Sequence, residues 1–112
     1  MSGAILAVSA ARSVIQLTIN TPNVYGSSFG AGPAVSSTAT VTPSGGIGSY
    51  TYSWTKTSGG AITANSASAA STTFAGTLAL GEAIEAVYKC TVTDSTGSTA
   101  EISVEVLLFE VS

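Results

Sequence analysis

A chain of 112 residues carrying a net charge of −3 has room for one hydrophobic core and no second domain of useful size. It is 45% hydrophobic and only 8% charged, with no histidine, one cysteine and one aspartate, which removes the ingredients of a catalytic triad or a His/Cys metal cage; no enzyme activity and no cofactor are expected. Arg12, Lys56 and Lys89 are too few to neutralise a run of phosphates, and no apolar window approaches the roughly 20 residues of a membrane span, so neither nucleic acid nor membrane is an expected partner.

The chain opens with Ala4 to Ala11, an apolar run without charge. No Lys or Arg precedes it and Arg12 follows it, the reverse of a secretory leader, so no cleaved signal is expected. Residues 1–12 read as an N-terminal arm and 13–112 as the domain. A lone cysteine forms no intrachain disulfide, and the fold is expected to assemble without oxidation.

Strands are the default throughout, because Thr, Val, Ser and Gly dominate and few stretches keep the helical period. From Ser13 to Asn20, Ile15, Leu17 and Ile19 alternate with polar residues, and Thr21-Pro22-Asn23 ends that strand. The stretch Asn23 to Ser37, with Gly26, Gly30, Gly32 and Pro33 around Tyr25 and Phe29, reads as a long loop or irregular edge. A strand over Ser37 to Thr42 is closed by Pro43-Ser44-Gly45-Gly46. Tyr50, Tyr52 and Trp54 then place three aromatic rings on one face of the next strand, with Thr51, Ser53 and Thr55 on the other. After a Ser58-Gly59-Gly60 turn come a short edge-like segment at 61–63, a small-residue connection to Ala70, and a strand from Ser71 to Phe74. Ala86, Tyr88, Cys90 and Val92 alternate within Glu85 to Asp94, and Asp94-Ser95-Thr96-Gly97 is a hairpin turn. In the last strand Ile102, Val104, Val106 and Leu108 share one face; the other carries Glu101, Ser103 and Glu105 and then turns apolar at Leu107, Phe109 and Val111. About seven short strands with no crossover helix predict an all-β, antiparallel sandwich.

Tyr88 precedes Cys90 by two residues, the spacing of the tyrosine corner, and Trp54 lies on an aromatic strand 36 residues before Cys90. These three are expected to be packing residues, with Trp54 and Cys90 meeting between the sheets and Cys90 a small buried hydrophobe whose missing partner would fall at Val41 or Ala39. The segment 39–106, through Thr42-Pro43-Ser44-Gly45-Gly46, Tyr50-Thr51-Tyr52-Ser53-Trp54, Thr72-Thr73-Phe74 and Tyr88-Lys89-Cys90-Thr91-Val92-Thr93-Asp94, resembles bacterial and phage immunoglobulin-like domains close to PKD repeats. It departs from PKD repeats where Lys56-Thr57-Ser58-Gly59-Gly60 replaces their acidic turn, which favours a plain immunoglobulin-like label. The resemblance implies an accessory module of a phage virion, a capsid decoration or tail-associated protein assembled in the bacterial cytoplasm, with a major capsid or tail protein as partner and self-association as a further option.

Other motifs carry less. Gly45-Gly46-Ile47-Gly48 lacks the Lys-Ser/Thr of a phosphate loop. Glu101 and Glu105 on one strand stand about 13 Å apart, beyond glycosidase geometry, and a calcium site at Asp94 with Glu82 or Glu85 is short of carboxylates. The surfaces expected to meet a partner are Ile5, Leu6 and Val8 on the arm and Leu107, Phe109 and Val111 on the last strand, the alternative being that the arm folds back over the end of its own sandwich and covers these residues. The alternative reading is a carbohydrate- or receptor-binding module in which Tyr25, Phe29 and Tyr50, near loops, stack on sugar rings of a host-surface glycan.

Overall fold

The computed structural model describes residues 14–112. Ten strand segments follow one another: β1 Ile15–Ile19, β2 Asn23–Phe29, β3 Gly32–Val35, β4 Ala39–Gly45, β5 Thr51–Gly59, β6 Thr63–Ala64, β7 Ser71–Thr72, β8 Phe74–Leu78, β9 Ala83–Thr93 and β10 Thr99–Val111. One layer is the four-stranded sheet β2-β10-β9-β5. The other consists of two three-stranded ladders, β1-β4-β7 and β3-β8-β6, that join end to end. Gly32 faces Leu78 and Val35 faces Ala75, whereas Ala39 faces Thr72, so a single antiparallel pairing slips by one residue around Ser36 and Thr73. The buried Ser36 hydroxyl fills that slip: it accepts the Phe74 N–H at 3.0 Å and donates to the Ser37 carbonyl at 2.8 Å, so no polar group is stranded in the core. With β3/β4 and β7/β8 each counted as one interrupted strand, and β1/β2 as one strand that changes layer, the segments occupy the seven positions of the expected sandwich.

One pairing departs from the antiparallel pattern. At Thr21-Pro22 the chain leaves the β1–β4 pair and crosses to the other sheet, where β2 runs parallel to β10 from Asn23 opposite Glu105 to Phe29 opposite Val111. Pro22 has no N–H to offer, and its carbonyl accepts the Glu105 N–H at 2.9 Å as the new pairing begins. The stretch expected to be a loop at 23–37 is therefore two strands. Its glycines serve close approach rather than disorder: a Cβ on Gly26 would stand 2.3 Å from the Val35 carbonyl oxygen, and Gly30 takes φ of 84° to turn β2 into β3.

The core lies between the layers. Ile84, Ala86, Tyr88, Cys90 and Val92 of β9 and Val104, Val106 and Leu108 of β10 face Ala39, Val41, Phe74 and Leu78. Phe74 is its hub, edge-on to Trp54 at 5.7 Å between ring centroids and tilted against Tyr88 at 4.7 Å. Trp54 Nε1 donates to the Ala69 carbonyl at 2.7 Å. Trp54 and Cys90 do not meet across the layers; they are directly paired neighbours on β5 and β9 of one sheet. The Tyr88 hydroxyl donates to the Ile62 carbonyl at 2.6 Å, tying the two layers together, and not to the few residues upstream that a tyrosine corner uses. Burial pushes the Tyr88 hydroxyl above its ordinary pKa and the Cys90 thiol up to about 11, so Cys90 is a protonated, unreactive core residue at neutral pH.

Candidate functional site

The outward face of the β2-β10-β9-β5 sheet is built by the residues that alternate with this core. Register orders it into rows. At one end Thr99, Thr93 and Thr51 lie side by side, followed by Glu101, Thr91 and Ser53, then Ser103, Lys89 and Thr55. Lys89 pairs with Glu101 at 3.3 Å, the one ion pair among the described residues, and both are half-solvated, so it contributes little to stability. Toward the other end the rows become Asn23, Glu105 and Val87, then Tyr25, Leu107 and Glu85, then Ser27, Phe109 and Ala83, and finally Phe29 beside Val111.

The expected apolar strip at Leu107, Phe109 and Val111 is there, and β2 widens it with Tyr25 and Phe29. Tyr25 is 55% exposed, Phe29 89% and Val111 40%, while Leu107 and Phe109 are half-buried between their neighbours. Beside the strip, from Tyr25 and Leu107 across to Ser58 and Gly59 at the end of β5, lies a shallow groove of about 490 Å³ whose lining includes Asn23, Glu85 and Glu105. Glu85 and Glu105 are diagonal neighbours across the β9–β10 pair, and no cation among the described residues is within ion-pair distance of either. The groove can stack a flat or apolar group on Tyr25 and accept hydrogen bonds or a positive charge on its acidic flank.

Tyr50 does not join Tyr25 and Phe29. It lies just before β5, packs against the core, and donates its hydroxyl to the Gly45 carbonyl. Tyr25 and Phe29 themselves stand on a strand face and not on loops. Trp54, Tyr88 and Cys90 are core residues, as expected. Ile5, Leu6 and Val8 lie outside the described residues.

Glu110, which sequence reasoning passed over, and Glu82, weighed there only as a calcium ligand, organise the apolar end. The Glu110 carboxylate accepts the Gly30 N–H at 3.1 Å on one oxygen and the Gly81 N–H at 2.7 Å on the other. The turn after β2, at Phe29-Gly30, is thereby clamped to the turn before β9, at Leu80-Gly81, and the second turn is closed further by Glu82, whose carboxylate accepts the Ala79 N–H at 2.8 Å. Leu80 rides on that turn 70% exposed. The only signal for this in the sequence is a glycine next to a large hydrophobe at two distant places.

The opposite end carries Asp94. Its oxygens accept the N–H groups of Ile47, Thr96 and Ser98 at 2.9–3.1 Å and the Thr96 hydroxyl at 2.7 Å. The Thr96 hydroxyl is the main reason this carboxyl titrates below the ordinary aspartate value; burial opposes the shift and the three backbone donors reinforce it. The residue serves the turn, its lone pairs already engaged by protein donors.

Comparison with known proteins agrees with this geometry. The family model described as the K319L-like PKD domain matches residues 34–108, and it does so although the acidic turn of PKD repeats is absent from this chain. A nucleoside hydrolase-related hypothetical protein from Saccharophagus degradans, associated with carbohydrate metabolism, has a similar solved structure, with a TM-score of 0.55 and 15% sequence identity. The likeness covers 92% of this chain and 27% of that one, so the chain corresponds to about a quarter of that protein's length and shares its fold over that part. No curated protein sequence matches the chain.

Proposed function

We propose that this chain, which belongs to the K319L-like PKD domain family, is a non-enzymatic docking module that attaches to another protein through the outward face of β2 and β10. The observation that carries the reading is the contiguous group Tyr25, Leu107, Phe109, Phe29 and Val111, an apolar strip on an otherwise largely polar sheet face. Surfaces of that kind on a small domain serve protein contact. Resemblance to phage immunoglobulin-like domains supplies the setting: a virion accessory protein, assembled in the bacterial cytoplasm, that docks on a major capsid or tail protein. Co-expression with such a protein, followed by sedimentation of the assembled particles, tests it. The wild-type chain is expected to co-sediment at a fixed ratio, and a Tyr25→Ser, Leu107→Ser double variant that keeps its near-ultraviolet circular dichroism is expected to load at least tenfold less. Equal loading by the variant, or no loading of the wild type on either class of particle, overturns the assignment.

A second reading, as a glycan-binding module, is favoured by the groove itself, where one tyrosine ring lies beside an amide and two carboxylates. A glycan array probed with the wild type and Tyr25→Ala separates the two readings: binding that vanishes in the variant supports a sugar ligand, and an array without signal removes it.

A further inference from the structure

The apolar row ends in a feature that the docking face alone does not require. Phe29, 89% exposed, ends β2; Leu80, 70% exposed, rides on the turn before β9; and Val111, 40% exposed, stands beside Phe29. Glu110 holds the two turns together, so the tip is pre-organised and needs little ordering when something packs on it.

The N-terminal segment leaves from the other end. Ile15 begins β1 opposite Gly45, and a Cβ on Gly46 would touch both Ile15 and the Asp94 carboxylate, which places Val14 at the level where β9 ends and β10 begins. From that level to the tip is the full length of the 13-residue β10, about 40 Å at strand rise. Residues 1–11 carry no charged side chain and include Ile5, Leu6 and Val8. Ile5 is nine residues from Val14 and so reaches at most about 32 Å, short of its own tip even when fully extended; Leu6 and Val8 reach less.

We infer that the tip formed by Phe29, Leu80 and Val111 receives the Ile5-Leu6-Val8 segment of a second copy, joining copies head to tail. The inference rests on the docking-module reading and names one of its partners. Charge agrees with it: the tip carries Glu82 and Glu110, and the arm brings no acid to repel them, its nearest charge being Arg12. A contact between two different surfaces of one chain is heterologous, so it continues from copy to copy as a ring or filament and does not stop at a two-fold dimer.

Sedimentation of the full-length chain over a wide concentration range tests this directly. Wild type is expected to gain mass stepwise beyond the dimer as concentration rises. A full-length arm variant, Ile5→Ser, Leu6→Ser, Val8→Ser, and a tip variant, Phe29→Ser, Leu80→Ser, are each expected to weaken association at least tenfold while keeping the wild-type near-ultraviolet circular dichroism. Mixed together, the two variants retain one intact arm and one intact tip, and are expected to form a one-to-one complex that goes no further. A wild type that stays monomeric throughout, a variant that associates like the wild type, or a mixture that stays monomeric overturns the head-to-tail contact. Loading on capsid or tail particles is scored on the Tyr25→Ser, Leu107→Ser variant, so failure of either proposal is read separately from the other.

Discussion

The two ends of the sandwich solve the same local problem with opposite surfaces. Each uses one carboxylate to collect backbone N–H groups from turns distant in sequence: Asp94 gathers Ile47, Thr96 and Ser98, and Glu110 gathers Gly30 and Gly81. Around Asp94, Ser95, Thr96 and Ser98 surround a buried carboxylate, and among the described residues the only large apolar side chains exposed nearby are Val14 and Ile47, each 48% exposed. Around Glu110 the turns push Phe29 and Leu80 into water. The first arrangement closes an end of the fold, because the oxygens of Asp94 are already taken up by protein donors. The second fixes in place side chains whose exposure gains nothing for the isolated domain, which is the arrangement expected of a contact surface.

This contrast can be tested against a benchmark lying between the ends. Phe74→Ala empties the hub shared by Trp54 and Tyr88 and is expected to destabilise the domain by about 3–5 kcal/mol in urea unfolding, the largest effect of the set. Asp94→Ala comes next, because it strips the partners from three N–H groups at the closed end; its melting temperature is expected to fall clearly below that of any single change at the apolar end. The same carboxylate gives a pH signature. Its folded pKa is depressed, so its contribution is full above the unfolded value near about pH 4 and is lost as pH falls through the folded value; Asp94→Asn is expected to flatten that part of the stability curve. Glu110→Ala is expected to cost only about 1 kcal/mol, since its partner amides are near water, which replaces the lost acceptor. Phe29→Ser with Leu80→Ser is expected to change stability by no more than about 0.5 kcal/mol. A large loss there would mean the tip is part of the fold and not a contact surface.

Much of the fold is legible where alternation is uninterrupted. Tyr50-Tyr52-Trp54, Ala86-Tyr88-Cys90-Val92 and Ile102-Val104-Val106-Leu108 place their rings and branched chains inward as period two demands, and Asp94 to Gly97 turns the chain as its residue types predict. The stretch 23–37 is not legible, because its glycines read as breakers until the partner is known: Gly26 is required by the Val35 backbone beside it, a contact between two strands that sequence periodicity does not reveal. For the same reason only half of the docking face is visible in advance. Leu107, Phe109 and Val111 declare themselves as an apolar outer face, but Tyr25 and Phe29 join them through the parallel pairing of β2 with β10, a long-range choice set by the change of layer at Pro22. Tyr50 misleads because an aromatic next to a turn looks available, while its hydroxyl is bonded within its own loop.

That change of layer has a mechanical consequence. The segment before β1 leaves at one end of the sandwich, and β10 finishes at the other. Tension drawn between these two points pulls β2 and β10 in opposite directions along their common axis, so the whole run from Asn23–Glu105 to Phe29–Val111 is loaded in shear and its rungs must yield together, whereas a hairpin pulled from its open end would unzip rung by rung. In a string of copies joined end to end, each link would meet stretching along its strongest direction.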